Sequence, residues 1–306
     1  MQVVTVATRK SRLALWQSEH VAEALSRRNP DLDVRLLSLS TRGDEVLDRS
    51  LAEIGGKGLF LKELERALLD GRADLAVHSL KDVPAEQPDG LALCAYLPRA
   101  NPADLWISGH GRTIGELPEG SRVGSSSLRR ISQLRALRPD IEVVALRGNV
   151  ETRLSAVRER RVDATVLAAA GLERLGIVPE QAVALDMERW LPAPGQGIIV
   201  VQQRAGDDVT RRLVELLECP TTALQARAER EVVRVLGGDC TMPLAVHAFV
   251  DGRRVRLRAR LGDERGQLID AEASGSVTQA RALGRSVAEM LMERGGAELL
   301  ETLDRS

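Results

Sequence analysis

The most regular pattern in the chain is a repeated unit in which an apolar strand leads through a polar turn into an amphipathic helix. In one such unit the chain breaks at Gly124 after a short apolar stretch, and apolar residues then recur at helical spacing, at Leu128, Ile131, Leu134 and Leu137. The next unit has an apolar strand over residues 141–146 and then Asn149, a favourable N-cap for a helix. The repeat predicts an α/β sheet.

Similar units extend to about residue 202, and from about Thr221 the pattern changes. Further apolar strands are predicted over residues 3–7, 34–39, 74–79, 91–97, 164–170 and 198–202. After Thr221 a helix is followed by alternating strands, with Asp251-Gly252 as a hairpin signal, and then by another helix. This grouping is typical of a small α+β domain.

Two proline-containing connections divide the α/β part of the chain. Asn101-Pro102 forms the first, and the second is the segment LPAPGQG that ends at Gly197. The expected domains are therefore residues 1–97 plus 198–217, residues 98–197, and residues 218–306. Two crossovers form a natural hinge, so a cleft is expected between the first two domains.

Composition narrows the choice of partners. The 306 residues carry a net charge of −1, and aromatic residues make up 2% of them, which argues against nucleic acid as the main partner. No signal-peptide core or membrane-length apolar run is present, so a soluble, cytoplasmic protein without membrane contact is expected. The three widely spaced cysteines predict neither a disulfide framework nor a metal site. No exposed apolar stripe is evident, so a monomer is expected.

Four arginines stand at the two strand-to-helix turns, namely Arg129, Arg130, Arg147 and Arg153. A helix N-terminus carries partial positive charge, so arginines there are unfavourable unless an anion lies between them. Ligands of open α/β sheets lie beyond the carboxyl ends of the strands, which is where these turns fall. Solvated surface arginines are the alternative interpretation. The clustering favours an anion-binding site.

Asp82 and Cys240 are the candidates for chemistry. Asp82 follows an apolar strand, beside Lys81 and before a proline, which suits a catalytic carboxylate as well as an ordinary surface ion pair. Cys240 lies in a loop beyond a helix end, where it is either a reachable thiol or a small residue in a tight turn. His78 is interpreted as a packed, hydrogen-bonded histidine, and Cys94 as an inert core thiol.

The glycine-rich segment of residues 54–60 superficially resembles a phosphate-binding loop. However, Gly58 follows Lys57 where such a loop carries the Ser or Thr that holds magnesium. We therefore interpret the segment, which ends at Phe60, as a mobile lid.

Several motifs, taken in order, cover nearly the whole chain. They are Ala7-Thr8-Arg9 with Ser11, Gly55-Gly56-Lys57-Gly58, His78-Ser79-Leu80-Lys81-Asp82-Val83-Pro84, Gly124-Ser125-Ser126-Ser127-Leu128-Arg129-Arg130, Leu146-Arg147-Gly148-Asn149, Gly195-Gln196-Gly197 and the Cys240 loop. Together they closely resemble the porphobilinogen deaminase family, also called hydroxymethylbilane synthases. The resemblance implies two periplasmic-binding-protein-like (type II) α/β domains with a cleft between them, plus a small C-terminal α+β domain.

The resemblance also implies an activity and a cofactor. Members of this family join four porphobilinogen molecules head to tail, releasing ammonia, to form the haem precursor hydroxymethylbilane. They use as primer a dipyrromethane cofactor, which here would be joined by a thioether to Cys240. Each pyrrole carries an acetate and a propionate, and arginine binds carboxylates bidentately.

Residue by residue, the resemblance assigns Asp82 to stabilising the cationic azafulvene that is left when ammonia departs. The residues expected at the cofactor are Lys81, Asp82, Ser127, Arg129 and Arg130. The residues expected at the substrate are Arg9, Ser11, Gln17, Ser125, Arg147, Gly148, Arg153, Arg174 and Gln196, and the lid would contribute Lys57, Gly58 and Phe60. Departures from the family pattern are Glu53, Gln202, which replaces an acidic residue, and Asp239.

Two other functions stay open. A two-lobed binding module without chemistry would explain the arginines but would leave Asp82 and Cys240 without a task. A cysteine hydrolase would need a base beside Cys240. The candidates His20, His78, His110 and His247 all lie outside any persuasive motif.

Overall fold

The computed structural model describes residues 2–40, 61–109, 113–238 and 242–304. In this part of the chain the strands form two five-stranded sheets and one three-stranded sheet. The chain divides into two compact units, Met1–Ala100 with Gly197–Leu224 and Asn101–Gln196 with Gln225–Ser306, called here the first and the second unit. The chain crosses between the units three times: at residues 100/101 and 196/197, in the two proline-containing connections, and at residues 224/225, inside the helix Pro220–Val235. The separate third domain, residues 218–306, stays a prediction.

Strands and helices alternate over most of the chain. In chain order the strands are β1 Gln2–Arg9, β2 Leu32–Leu39, β3 Leu75–Ser79, β4 Leu91–Tyr96, β5 Asp104–Ser108, β6 Arg122–Gly124, β7 Glu142–Val144, β8 Ala164–Ala168, β9 Ala182–Ala184, β10 Ile199–Arg204, β11 Leu244–Asp251, β12 Arg254–Gly262 and β13 Leu268–Ser276. The α-helices are α1 Arg12–Arg28, α2 Lys62–Leu69, α3 Leu128–Leu137, α4 Val150–Arg158, α5 Ala169–Arg174, α6 Asp208–Glu215, α7 Pro220–Val235, α8 Ala280–Leu291 and α9 Ala297–Asp304. Short 3₁₀ helices cover Leu80–Asp82, Ile114–Glu116 and Val277–Gln279, and a π-helical turn covers Met292–Gly296.

The two five-stranded sheets share one topology. The strand order is β2-β1-β3-β10-β4 in the first unit and β7-β6-β8-β5-β9 in the second. In each sheet the first three strands are parallel, and an antiparallel strand, β10 or β5, enters between the third and the last. The prediction of two α/β lobes of the type II periplasmic-binding-protein kind is confirmed.

Each lobe is organised around its own apolar core. In the first unit the apolar face of α1, with Val21 and Leu25, packs against the buried side chains of β1, β3 and β10. In the second unit Trp106, Val123 and Trp190 belong to one buried cluster. Because the central strands are buried on both faces, the polar groups of each lobe concentrate where the parallel strands end.

The third sheet is an antiparallel meander in the second unit. β11 and β12 are joined by a tight turn in which Gly252 has φ +55°, which confirms the hairpin prediction. Helix α8 packs on β12 and β13. A Cβ on Gly262 would lie 2.7 Å from the Ser132 Cβ, so glycine allows the end of β12 to approach α3 closely.

The segment predicted as a strand over residues 164–170 is shorter than expected. The strand ends at Ala168, and α5 begins at Ala169. Strands β5 and β9 and helix α6 were not predicted. Among the described residues, no helix combines the length and apolar character of a membrane span. The same residues contain no group of three or more His, Cys, Asp or Glu side chains that suits a metal ion.

Candidate functional site

In the first unit, predicted site residues gather where β1 and β3 end. These strands are parallel neighbours, so Arg9 and Ser79, at their last positions, lie at one edge of the sheet. Ser11 caps α1 by accepting a hydrogen bond from the Ala14 N–H at 3.3 Å. Gln17, buried in α1, donates from Nε2 to Ser79 Oγ at 2.8 Å. Ser79, which the sequence reasoning did not single out, therefore ties α1 to the end of β3.

Lys81 and Asp82 lie in the 3₁₀ turn that follows β3. The turn is anchored by Leu80, which is buried and whose N–H donates to the Ile198 carbonyl oxygen at 3.0 Å. Lys81 is half-buried, whereas Asp82 is exposed. The backbone of this turn is thus held by the sheet while the Asp82 carboxylate stays accessible.

His78 belongs to a buried network beneath this turn. Its Nε2 lies 3.0 Å from Gln202 Oε1, and Gln202 Nε2 donates to Gln87 Oε1 at 3.0 Å. Because the Gln202 amide group donates on its other side, its Oε1 faces the histidine and His78 Nε2 carries the proton. Burial lowers the pKa of His78 to about 4. The interpretation of His78 as a packed histidine is confirmed. Gln202 accepts from His78 and also donates to Gln87, and an ionised carboxylate at this position could not donate.

We expect the His78 network to make the fold sensitive to acid. In the unfolded chain this histidine takes up a proton below its usual pKa of 6.5, whereas in the folded chain it resists protonation down to about 4. The free energy of unfolding therefore has its full value above pH 6.5. It falls as the pH drops toward 4, by about 3 kcal/mol in all.

His78→Gln should remove this share of the pH dependence. Urea unfolding at pH 7 and at pH 4.5 measures it: the wild type should lose about 2–3 kcal/mol more than the variant between the two values. Equal losses for the two proteins would show that His78 takes up no proton on unfolding, and that its pKa is therefore not lowered in the folded chain.

In the second unit the turns after β6 and β7 are locked together. The Ser125 N–H donates to the Val144 carbonyl oxygen at 2.9 Å, and the Leu146 N–H donates to Ser126 Oγ at 3.1 Å. A Cβ on Gly124 would lie 2.5 Å from Leu146 Cδ2, so only glycine permits this approach. The two arginine-bearing turns are therefore neighbours, as expected for the ends of parallel strands.

The second turn holds Arg153 through a local hydrogen bond. Gly148 adopts φ +104°, and its carbonyl oxygen accepts a hydrogen bond from Arg153 Nε at 3.1 Å. Asn149 caps α4, accepting from the Thr152 N–H at 2.8 Å, as predicted. Arg147, directly before the glycine, is half-buried.

Ser125 and Ser127 follow the end of β6, and Arg174 lies in the helix that follows β8. Ser125 Oγ accepts from the Ser127 N–H at 3.2 Å, whereas the Ser127 side chain makes no capping bond to α3. Arg174 ends the short helix α5, and burial lowers its pKa to about 10, which leaves it protonated at neutral pH.

Arg129 and Arg130, in the first turn of α3, are the most deeply buried of the predicted cations that the structure describes. They are 5% and 6% exposed, and both bind the carboxylate of Asp104. Arg129 Nη2 donates to Asp104 Oδ2 at 2.9 Å, and Arg130 Nη2 donates to Oδ1 at 2.7 Å. Trp190 Nε1 and Gln196 Nε2 donate to the same carboxylate, each at 2.9 Å. These five residues are called the Asp104 cluster.

The Asp104 cluster carries an excess positive charge. Burial alone would raise the pKa of Asp104, but the charges of Arg129 and Arg130 outweigh burial and hold that pKa well below its usual range. One carboxylate therefore faces two guanidinium groups. This residual charge makes the cluster suitable for a further anion.

The predicted attachment residue Cys240 and the predicted lid residues Lys57, Gly58 and Phe60 lie outside the described residues, as do Glu53, His110 and Asp239. Asp104, in contrast, is described but was not predicted. Its signal in the sequence is a carboxylate at the start of the apolar run Leu105-Trp106-Ile107.

Family models match most of the chain. Residues 4–212 match the model "Porphobilinogen deaminase, dipyromethane cofactor binding domain", and residues 223–293 match "Porphobilinogen deaminase, C-terminal domain". The chain belongs to the porphobilinogen deaminase family. The predicted family assignment is thereby confirmed.

Individual relatives agree with the family models. A porphobilinogen deaminase of Xanthomonas axonopodis pv. citri is 51% identical over 304 residues, which cover 99% of this chain and 100% of that protein. One from Stenotrophomonas maltophilia is 50% identical over 301 residues, covering 98% and 99%. The similarity to porphobilinogen deaminases therefore extends over both units.

Solved structures similar to the chain include a ligand-binding component of an ABC-type import system from Staphylococcus aureus (TM-score 0.41, 13% identity, 76% of this chain and 73% of that chain covered). They also include the periplasmic VFT2 domain of Bordetella pertussis BvgS (TM-score 0.42, 18% identity, 70% and 85% covered).

Proposed function

We propose that this chain is a transferase that joins four porphobilinogen molecules head to tail, with release of ammonia, into hydroxymethylbilane. We further propose that it works as a cytoplasmic monomer without nucleic acid, and that its dipyrromethane primer is joined by a thioether to Cys240. Membership of the porphobilinogen deaminase family over the full chain supports the reaction. The observation in the structure that carries the proposal is the Asp104 cluster, whose charge suits a polyacid.

The described residues fit a primer made of pyrroles that carry acetate and propionate groups. The Asp104 cluster has two guanidinium groups and one carboxylate, and Arg130 Nη1 donates to no acceptor among the described residues. A carboxylate placed there would receive charge-assisted hydrogen bonds and would neutralise the excess charge. We assign Lys81, Asp82, Ser127, Arg129 and Arg130 to the primer.

We assign the remaining predicted site residues that the structure describes to the incoming substrate. They are Arg9, Ser11, Gln17, Ser125, Arg147, Gly148, Arg153, Arg174 and Gln196. Arginine keeps its charge at physiological pH, and its planar fork matches a carboxylate bidentately, so the acid groups of porphobilinogen can orient the ring. Holding both reactants in register lowers the entropic part of the barrier.

Asp82 is the group we assign to the reaction itself. When bound, the primer supplies a nucleophilic pyrrole carbon. Loss of ammonia from porphobilinogen leaves a cationic azafulvene, and the accessible Asp82 carboxylate at the end of β3 would stabilise that charge. At ~4 Å and an effective dielectric constant of ~20, this attraction is worth about 4 kcal/mol. Realised only in the transition state, it would accelerate the step roughly a thousandfold.

Product stoichiometry tests the proposed function. The purified protein is incubated with porphobilinogen, and ammonia, remaining porphobilinogen and tetrapyrrole are measured over time. The proposal predicts one ammonia for each porphobilinogen consumed and one tetrapyrrole for every four. Tight binding of porphobilinogen without release of ammonia would instead identify a binding module.

Arg147→Lys should weaken substrate capture more than the unchanged charge suggests. Lysine keeps the positive charge but loses the two-pronged contact, so KM for porphobilinogen should rise about tenfold with a smaller change in kcat. Steady-state kinetics measure both constants. Arg158→Lys is the matched control, because Arg158 is exposed on α4 and donates to Ser155 Oγ within that helix. Equal KM values for the Arg147 variant and the wild type would count against bidentate binding.

A further inference from the structure

Asp104 is the charged residue of the Asp104 cluster that has no role so far. It belongs to none of the sequence motifs, and the proposed reaction does not use it. Asp104 is the first residue of β5 and is 1% exposed. An ionised carboxylate in such a place is costly unless every oxygen is well bonded. Its presence in this core therefore calls for a physical reason.

The hydrogen bonds around this carboxylate define the orientation of both arginines. Oδ2 accepts from Arg129 Nη2 at 2.9 Å and from Arg130 Nε at 3.3 Å, and Oδ1 accepts from Arg130 Nη2 at 2.7 Å. Arg130 is thus bound along one edge of its guanidinium group, through Nε and Nη2. Its remaining nitrogen, Nη1, has no acceptor among the described residues.

Arg129 is held on two sides. While Nη2 binds Asp104, Nη1 donates to the Leu191 carbonyl oxygen at 2.8 Å. Leu191 is itself fixed, because its N–H donates to Gln133 Oε1 at 2.9 Å and its carbonyl oxygen also accepts from Gln133 Nε2 at 3.0 Å. Arg129 therefore has little rotational freedom, and it holds its side of the carboxylate in place.

The charge of Asp104 also keeps the two arginines together. Two guanidinium groups that share one acceptor group repel each other in a buried site, where water screens them poorly. Burial lowers the pKa of Arg129, which shows the cost of holding a cation there, and the Asp104 charge opposes that cost. Without the carboxylate, the arginines would separate or turn toward other acceptors.

We propose that Asp104 is a positioning residue, which holds Arg129 and Arg130 so that Arg130 presents Nη1 to an acid group of the pyrrole primer. This inference rests on the proposed function, since it concerns the binding of the primer. It makes a prediction opposite to that of simple electrostatics. If charge alone mattered, removal of the carboxylate would make the cluster more positive and bind an anion more tightly.

Asp104→Asn tests the proposal through the fraction of purified chains that carry the primer, measured by intact mass. Asparagine keeps the shape of the side chain but offers a single oxygen to donors from two arginines. We expect primer occupancy to fall at least about tenfold relative to the wild type, because a primer that loses roughly one charge-assisted hydrogen bond is held about tenfold more weakly before its thioether forms. The melting temperature should fall by roughly 5–10 °C. Occupancy equal to or above that of the wild type would overturn the proposal.

Asp74→Asn is the control for loss of stability. Asp74 is a half-buried aspartate of the first unit that is bonded to Arg204 at 3.1 Å and to the Thr5 N–H at 2.8 Å. This variant should melt at a lower temperature and still carry a full complement of primer. If it too lacked primer, lowered stability would explain the Asp104 result and the proposal would fail.

Asp104→Glu covers the case in which the asparagine variant does not fold. It keeps the charge but moves the carboxylate by one methylene group, so the positioning role predicts a folded chain with reduced occupancy. Occupancy equal to that of the wild type would overturn that role. A wild-type chain without any primer mass would refute the proposed function instead, so the two failures are distinguishable.

Discussion

Cys240→Ser is expected to give a chain of bare polypeptide mass that does not consume porphobilinogen. The thioether requires a sulfur nucleophile, and a serine hydroxyl is far less nucleophilic at neutral pH than a thiol, of which a few per cent is ionised. Without a covalent primer there is no chain end to extend, so activity should fall to the background of the assay. Intact mass and porphobilinogen consumption, measured on the same preparation, check both parts.

The other two cysteines provide matched controls. Burial raises the pKa of Cys94 to about 12, and its Sγ donates to the Val201 carbonyl oxygen at 3.3 Å, as expected for an inert core thiol. Cys219 is the stronger competitor, because a hydrogen bond from Thr222 lowers its pKa. Cys219→Ser should nevertheless retain both primer and turnover. A normal adduct on Cys240→Ser, or its loss in Cys219→Ser, would show that the attachment site is wrongly assigned.

Asp82→Asn should keep the primer and lose roughly a thousandfold in kcat. The amide has nearly the same shape but no charge, so it removes the stabilisation of the cation formed when ammonia leaves. The other residues assigned to the primer, namely Lys81, Ser127, Arg129 and Arg130, are untouched, so intact mass should show a normally loaded chain. Single-turnover measurements on the loaded variant separate this chemical step from product release.

Asp89→Asn is the appropriate control for Asp82. It changes another exposed aspartate a few residues along the same connection and should leave kcat unchanged. Asp82→Glu keeps the charge one methylene group further out and should recover part of the rate. Wild-type turnover in Asp82→Asn would remove this residue from the mechanism.

Parts of the fold could be read from the sequence because their signals are local. Strand β3 begins with the apolar run Leu75-Ala76-Val77, as a parallel strand buried on both faces should, and the Asp251-Gly252 turn specifies its own hairpin. The end of β8 was misplaced because Ala168, Ala169 and Ala170 suit a helix as well as a buried strand. Strand β5 has only five residues, and its pairing with β8 and β9 is specified by residues far along the chain.

The site shows the same contrast between local signals and contacts with residues far along the chain. The arginines could be predicted because strand ends and helix starts are visible in the sequence pattern. Asp104 could not be matched with them, since Arg129 lies 25 residues and Trp190 86 residues further along the chain. A lone carboxylate at the start of an apolar strand is the only signal it leaves. The folded lobe thus determines which group the arginines bind within the protein.

The intact mass of the wild-type chain, before and after addition of porphobilinogen, tests most directly whether a covalently primed chain grows on this protein. The expected result is a starting mass above that of the polypeptide by two pyrrole units, followed by species that are heavier by further whole units. The bare polypeptide mass in both samples, under conditions in which porphobilinogen binds, would contradict the proposed function.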